Sequence, residues 1–164
     1  MTLKALGSDG LNRAVHALSV SCEQEVPCEG LLESKHFACL VLWDSSEATV
    51  QDGDRLLASL LLQGASYLMF WGPGYRRMHD VADETIVALR DRLGLAEDAT
   101  VMTTDHHAES LEDAVWFFQN VSSPHASLSE TTKAAIVITI GSAVWAADAE
   151  RVLLDPARAG AGSC

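Results

Sequence analysis

Asp105, His106 and His107 stand together in the sequence and combine two side-chain types that bind metals and transfer protons. Imidazole and carboxylate groups are both zinc ligands, and Asp44 could complete such a set from a neighbouring strand. A histidine oriented by an aspartate can also act as a general base, so Asp44, Asp105 and His106 are the candidate catalytic residues. The other interpretation is a polar turn, because adjacent side chains point apart. We predict the turn, with no metal and no cofactor, and keep Asp105, His106 and His107 as the alternative metal ligands.

A second group of residues, Gly72-Pro73-Gly74-Tyr75-Arg76-Arg77, has features of an anion site. Glycine lets the backbone approach a ligand, and the N-terminus of a following helix favours negative charge. Gly72, Gly74, Arg76 and Arg77 are therefore the candidate anion-binding residues. The pattern matches neither the G-x-G-x-x-G nor the G-x-x-x-x-G-K-[ST] phosphate loop. We expect instead an internal salt bridge from Arg76 or Arg77 to Asp44, Glu47 or Asp80, and keep anion binding as the alternative.

Both groups directly follow short apolar runs, and the sequence contains four such runs, at 37–43, 66–71, 99–104 and 134–140. The runs hardly alternate and are rich in β-branched and aromatic residues, which is typical of parallel strands covered on both faces. Helical patterns occupy the intervals, at 52–63, 75–93, 110–121 and 142–154. The order β-α-β-α-β-α-β-α predicts an α/β three-layer sandwich with a four-stranded, mainly parallel sheet of Rossmann-like or flavodoxin-like type.

Ligands of parallel α/β sheets bind outside the carboxyl ends of the strands. The residues at the four predicted ends are polar, and we expect them to meet at one edge of the sheet: Asp44-Ser45-Ser46, Gly72 to Arg77, Asp105-His106-His107 and Gly141-Ser142. Ser142 is predicted to cap the last helix, because its surroundings lack the G-x-S-x-G pattern of a nucleophile.

The chain divides into three predicted segments. Residues 1–34 form an arm over the core, with a short helix that Ser8-Asp9-Gly10 caps and that carries Leu11, Val15 and Leu18. Residues 35–154 form the single α/β domain, and residues 155–164 form a disordered tail.

Two predicted helices carry more apolar surface than a helix at the edge of a domain needs. The stretch 56–62 is apolar nearly all round, and Trp116 and Phe117 lie off the apolar stripe of their helix. Either the N-terminal arm covers these helices or they form the interface of a homodimer, for which Trp116 and Phe117 are the candidate residues.

The 164 residues include 23 acidic and 11 basic side chains, for a formal charge of −12. Such a surface repels nucleic acid and anionic membranes, so neither is an expected partner, although a small anion at Arg76 and Arg77 is compatible with it. The sequence shows no apolar stretch long enough to span a bilayer and no basic, then apolar, start typical of a signal peptide. We therefore expect a cytoplasmic protein.

Residues 37–144 resemble an uncharacterised bacterial domain family of small Rossmann-like α/β proteins. The resemblance lies in four stretches, at 39–43, 67–72, 102–106 and 109–118. It implies a Rossmann-like fold and a bacterial, cytoplasmic protein. The family has no assigned activity, so the resemblance implies no site residues.

Two functions are consistent with these observations. The first is a non-enzymatic binding or interaction module, whose acidic surface suits a protein partner or a second copy of the chain. The alternative is a small-ligand or metal-dependent enzyme with its site at the carboxyl ends of the parallel strands.

Overall fold

The computed structural model describes residues 2–106 and 108–155. Its six strands form one mixed sheet: β1 (Thr2–Ser8), β2 (Ala14–Val20), β3 (His36–Trp43), β4 (Ala65–Trp71), β5 (Met102–Asp105) and β6 (Thr132–Ile140). The strands lie in the order β1-β2-β6-β3-β4-β5. All neighbouring pairs are parallel except β1 and β2, which form an antiparallel hairpin. The predicted α/β class is confirmed.

Helices cover both faces of the sheet: α1 (Val50–Leu62), α2 (Tyr75–Leu89), α3 (Leu111–Asn120), the short α4 (Ala126–Ser129) and α5 (Ala143–Leu153). The buried residues of α1 and α2 belong to one apolar cluster, and those of α3 and α5 belong to the other. No helix within the described ranges is long and apolar enough to cross a membrane.

Strand β3 shows why the central apolar runs do not alternate. Phe37, Cys39 and Val41 pack into the cluster under α1 and α2, whereas Leu40 and Leu42 pack into the cluster under α3 and α5. Because both faces are covered, successive side chains are buried in opposite directions, and every position must be apolar.

The predicted strand count of four is wrong, since the sheet has six strands, and the sheet is mixed because β1 and β2 are antiparallel. The two additional strands, β1 and β2, lie within the segment 1–34. The helix predicted to carry Leu11, Val15 and Leu18 is also wrong. Asp9 caps a hairpin turn instead, where its Oδ1 accepts hydrogen bonds from the amides of Leu11 at 3.0 Å and Arg13 at 2.9 Å.

Residues 21–35 cover α1. Val26 and Leu31 are buried in the same cluster as the leucines of that helix. The Gln63 side chain fixes this segment, because its Nε2 donates to the Pro27 carbonyl at 2.9 Å and its Oε1 accepts from the Leu31 amide at 3.0 Å. Leu56, Leu57, Leu60 and Leu61 of α1 are thus buried within the chain itself, whereas Leu62 is 46% exposed. Of the predicted tail 155–164, all but Asp155 lies outside the described residues.

The direction of the chain reverses across the middle of the sheet. From β3 the chain moves outward to β4 and β5, and it then returns to place β6 on the other side of β3. The connections that leave β3 and β6 lead to α1 on one face and to α5 on the other. A crevice forms at the carboxyl ends of two such strands, which is the usual ligand position in this class of sheet.

Candidate functional site

A cleft of about 460 Å³ lies at this reversal point, and we call it the switch-point cleft. It is formed by the segments that follow the carboxyl ends of the three adjacent parallel strands β2, β3 and β6. Its lining consists of Ser21, Cys22, Glu23, Trp43, Asp44, Ser46, Glu47, Ile140, Gly141, Ser142 and Trp145. The volume lies within the range of small-ligand sites, about 300–1,000 Å³.

Three carboxylates give the switch-point cleft its charge. Asp44 and Glu47 are exposed, Glu23 is partly exposed, and none of the described residues that line the cleft is lysine, arginine or histidine. Hydrogen bonds from Ser46 lower the pKa of Asp44, since Ser46 Oγ donates to Asp44 Oδ1 at 2.5 Å and the Ser46 amide donates at 3.2 Å. Both bonds favour the ionised form, so Asp44 keeps its negative charge across the neutral range.

Two tryptophans supply the apolar part of the cleft. Trp43 is the last residue of β3 and is largely buried, whereas Trp145 lies half-buried in the first turn of α5. Ser142 caps that helix, and its Oγ accepts from the Trp145 amide at 3.2 Å, as the sequence predicts. The Trp145 ring also stands edge-on to Trp71, with centroids 5.1 Å apart and an interplanar angle of 80°. These contacts hold the Trp145 indole in place.

Hydrogen bonds join the loop after β3 to the loop after β4 and to the start of α2. The Ser45 amide donates to the Pro73 carbonyl at 2.9 Å, and Arg77 Nη2 donates to the carbonyls of Ser45 and, at 2.7 Å, Ala48. Gly74 has a φ of +83°, and a Cβ there would lie 2.5 Å from Ser45 Oγ. Ser45 is fully buried, so this close approach requires glycine.

These contacts give three of the four candidate anion-binding residues positions inside the fold. Arg77 holds the β3–α1 loop, Gly74 contacts Ser45, and a Cβ on Gly72 would lie 2.6 Å from the Trp43 carbonyl oxygen. Arg76 is exposed. The expected salt bridges from Arg77 to carboxylates are replaced by bonds to backbone carbonyls. Anion binding by this group stays a prediction.

Replacing Gly74 with alanine is expected to destabilise the protein because of this close contact. Gly94 is the matched control, since it also has positive φ, +62°, but nothing lies within 4 Å of a Cβ there. Gly94→Ala should cost about 1 kcal/mol for the left-handed backbone alone. Gly74→Ala should cost about 1–2 kcal/mol more, because the added methyl collides with a buried neighbour. Urea unfolding measures both values, and equal costs would contradict the loop packing described here.

A second, smaller cleft of about 260 Å³ lies at the ends of β4 and β5, and we call it the His106 cleft. The His106 side chain is buried, its Nδ1 lies 2.8 Å from Glu109 Oε2, and its ring packs on Phe117 with centroids 4.4 Å apart. Trp71 lines this cleft and contacts Trp145 of the switch-point cleft. The Trp71–Trp145 pair therefore stands between the two clefts.

The structure brings the predicted strand ends to one edge but does not join all the candidate catalytic residues. Asp44 follows β3 and Asp105 ends β5, and β4 between them separates these strands by about 10 Å. Asp105 is exposed, and His106 pairs with Glu109 rather than with an aspartate. Among the described residues, no three His, Cys, Asp or Glu side chains cluster closely enough to hold a metal ion. His107 lies outside the described residues, so its predicted ligand role is untested.

Several residues that line the clefts were not among the predicted site residues: Cys22, Glu23, Trp43, Glu47, Glu109 and Trp145. Glu109 lies three positions after His106, and that spacing was the available signal. Cys22 and Glu23 follow β2, and they were not expected among the strand ends because β2 was not predicted as a strand.

The candidate interface residues differ in their surroundings. Phe117 packs on His106 and on the cluster under α3 and α5, so its ring contributes to the fold. Trp116 is half-buried. Self-association through these two residues stays a prediction.

The sequence model of one protein family matches residues 15–156, and that family is described as a domain of unknown function, DUF7684. The chain belongs to the DUF7684 family. The match agrees with the expected membership of an uncharacterised family. It spans all the residues that line the switch-point cleft and the His106 cleft of this DUF7684 domain. No curated protein and no solved structure matches the chain significantly.

Proposed function

We propose that this domain is a non-enzymatic binding module whose switch-point cleft receives a cationic side chain of a basic protein partner. The observation that carries the proposal is the lining of the cleft. Three acidic residues and two tryptophans, one buried and one half-buried, line a space of about 460 Å³ at the reversal point of the sheet. Carboxylates attract a lysine or arginine side chain, and tryptophan is the best aromatic partner for its cationic head.

The net charge of the cleft is negative. The N-terminus of α5 contributes about half of a positive charge, whereas Glu23, Asp44 and Glu47 contribute three formal negative charges. The carboxylates dominate, so the cleft favours cations. The total charge of −12 adds a long-range attraction for basic partners.

The expected affinity of a single cation is low. A cation–π contact at a partly exposed ring contributes about 0.5–1 kcal/mol. An exposed ion pair contributes about 0–1 kcal/mol. One side chain alone therefore binds in the millimolar range, and a segment with several basic residues is needed for micromolar binding.

Binding of a fluorescein-labelled tetra-arginine peptide tests the proposal. Fluorescence anisotropy should show saturable binding at low ionic strength, and the affinity should fall by about tenfold or more at 0.5 M salt because exposed charges are screened. A tetra-glutamate peptide with the same label is the control and should not bind. Comparable binding of both peptides, or no binding of either, would contradict the proposal.

The alternative function is a small-ligand or metal-dependent enzyme, and the His106–Glu109 contact favours it. A carboxylate beside Nδ1 orients an imidazole so that Nε2 can accept a proton. A panel of p-nitrophenyl esters and phosphates provides the test. Turnover that disappears in His106→Gln and persists in His125→Gln would favour the enzyme over the binding module.

The wider setting of the protein also stays a prediction. We expect a bacterial, cytoplasmic protein with a Rossmann-like relationship, and a homodimer through Trp116 and Phe117 is the second form of partner.

A further inference from the structure

A groove of about 890 Å³ lies on the same face of the sheet as α1 and α2, over β1, β2 and β6. Both helices pack toward the other side of that face, where α1 contacts β4 and α2 contacts β4 and β5. On this face, the apolar residues of β2 and β6 are covered by the segment 21–35, which precedes β3. The groove is the space left between this segment and the strands.

The floor and wall of the groove are largely apolar. Ala14 and Ala134 line the sheet side, and Leu31 and Leu32 line the opposite wall. Leu3 of β1 lines the same groove and is 45% exposed. An exposed leucine beside buried apolar neighbours leaves surface that an alkyl chain can cover.

The charged residues of the groove are mainly basic, although the chain as a whole is acidic. Lys35 and Lys133 both line it, and they are two of the three lysines in the sequence. Within the described residues neither lysine forms an ion pair, whereas the third, Lys4, is bound to Glu150 at 2.8 Å on the other face. Glu33 is the one acidic residue of the lining, so the groove carries a net positive charge inside a chain of −12.

The side chain of His16 adds a second observation. Its Nδ1 is buried and has no hydrogen-bond partner among the described residues, although the residue lines the groove. A buried polar atom without a partner is costly, and a ligand is one way to satisfy it. Burial lowers the pKa of the neighbouring His36, and the Lys35 ammonium lowers it further.

We propose that this groove binds an amphipathic anion, namely a single-chain aliphatic carboxylate. The alkyl chain covers Leu3, Leu31 and Ala134, and the carboxylate is bound by Lys35 and Lys133. The volume of the groove, about 890 Å³, lies within the range of small-molecule sites, about 300–1,000 Å³. The groove and the switch-point cleft have opposite charge and share no lining residue, so this proposal is independent of the proposed function.

Calorimetric titration of the full chain with monomeric decanoate tests the proposal. Saturable binding is expected, and octanoate should bind roughly tenfold more weakly, because each buried methylene changes the affinity about three- to fourfold. Decyltrimethylammonium has the same chain with the opposite charge and should bind at least tenfold more weakly than decanoate. Equal binding of the two decyl compounds, or no saturable binding of decanoate, would overturn the proposal.

Matched variants locate the anion. Lys133→Gln and Lys35→Gln should each weaken decanoate binding about three- to tenfold, since both side chains are exposed and neither substitution disturbs the core. Lys4→Gln removes the same charge on the other face and should leave the affinity unchanged. An equal loss in Lys4→Gln would show a bulk charge effect and would overturn the assignment.

Discussion

Replacing Arg13 with alanine is expected to lower the free energy of unfolding by about 3–5 kcal/mol. Arg13 is 2% exposed, and its Nε donates to Asp9 Oδ2 at 2.7 Å. The same guanidinium donates to the Ser122 carbonyl at 2.9 Å and to the Phe118 carbonyl at 2.6 Å. It therefore ties the β1–β2 turn to the carboxyl end of α3. The variant would leave the buried Asp9 carboxylate without its ionic partner and the Ser122 carbonyl without this donor, and the Phe118 carbonyl would keep only the Ser122 hydroxyl.

Burial is the reason for this large effect, and an exposed pair provides the control. Arg55 Nη1 lies 3.9 Å from Asp52 Oδ1, with 64% of the Arg55 side chain exposed. Arg55→Ala should cost less than about 1 kcal/mol. Arg13→Lys keeps the charge but loses the planar set of donors, so an intermediate cost is expected. Urea unfolding measures all three variants, and a cost below 1 kcal/mol for Arg13→Ala would refute the proposed role of this ion pair.

Reversing the charge of Asp44 is expected to weaken tetra-arginine binding at least tenfold, which corresponds to about 1.4 kcal/mol. Asp44→Lys removes one of three carboxylates from the switch-point cleft and adds a cation beside the other two. Asp44 is exposed and its hydrogen bonds run to Ser46 in the same loop, so the fold should tolerate the change.

A second charge reversal separates a local effect from a global one. Glu84 is exposed on α2 and lies outside the cleft, and Glu84→Lys changes the net charge by the same amount as Asp44→Lys. Glu84→Lys should weaken binding less than twofold at moderate salt. At 0.1 M salt, interactions between exposed charges more than about 10 Å apart are largely screened. Similar losses in both variants would mean that the peptide binds the acidic surface in general and not the cleft.

The sequence allowed the central strands and the four long helices to be predicted because their signals are local. The run 37–43 is apolar throughout and coincides with β3, which is buried on both faces. Ser110 and Ser142 accept the capping hydrogen bonds that their positions before apolar helices indicate.

The N-terminal hairpin could not be recognised for physical reasons. β1 is an edge strand and most of its side chains are exposed, so its residues carry little apolar signal. In β2, Val15 and Leu18 are three positions apart, which mimics a helix, although the structure buries them in opposite clusters. Asp9 resembles a helix cap because a hairpin turn uses the same side-chain-to-backbone hydrogen bonds.

The composition of the candidate site depended on strand order, which local patterns do not contain. The insertion of β6 between β2 and β3 brings Cys22 and Glu23 beside Asp44. The same order puts β4 between Asp44 and Asp105. The sequence therefore predicted that polar residues follow the strands, but it could not predict which strand ends lie beside each other.

The central claim is that the switch-point cleft binds cations, and ¹H–¹⁵N NMR titration with the tetra-arginine peptide tests it most directly. The largest shift changes should occur at the amides of 21–23, 44–47 and 141–145 and at the Trp145 indole N–H. These signals should respond together with one dissociation constant. Shift changes that are strongest on the exposed acidic residues of α2, or that spread evenly over the acidic surface, would contradict the claim.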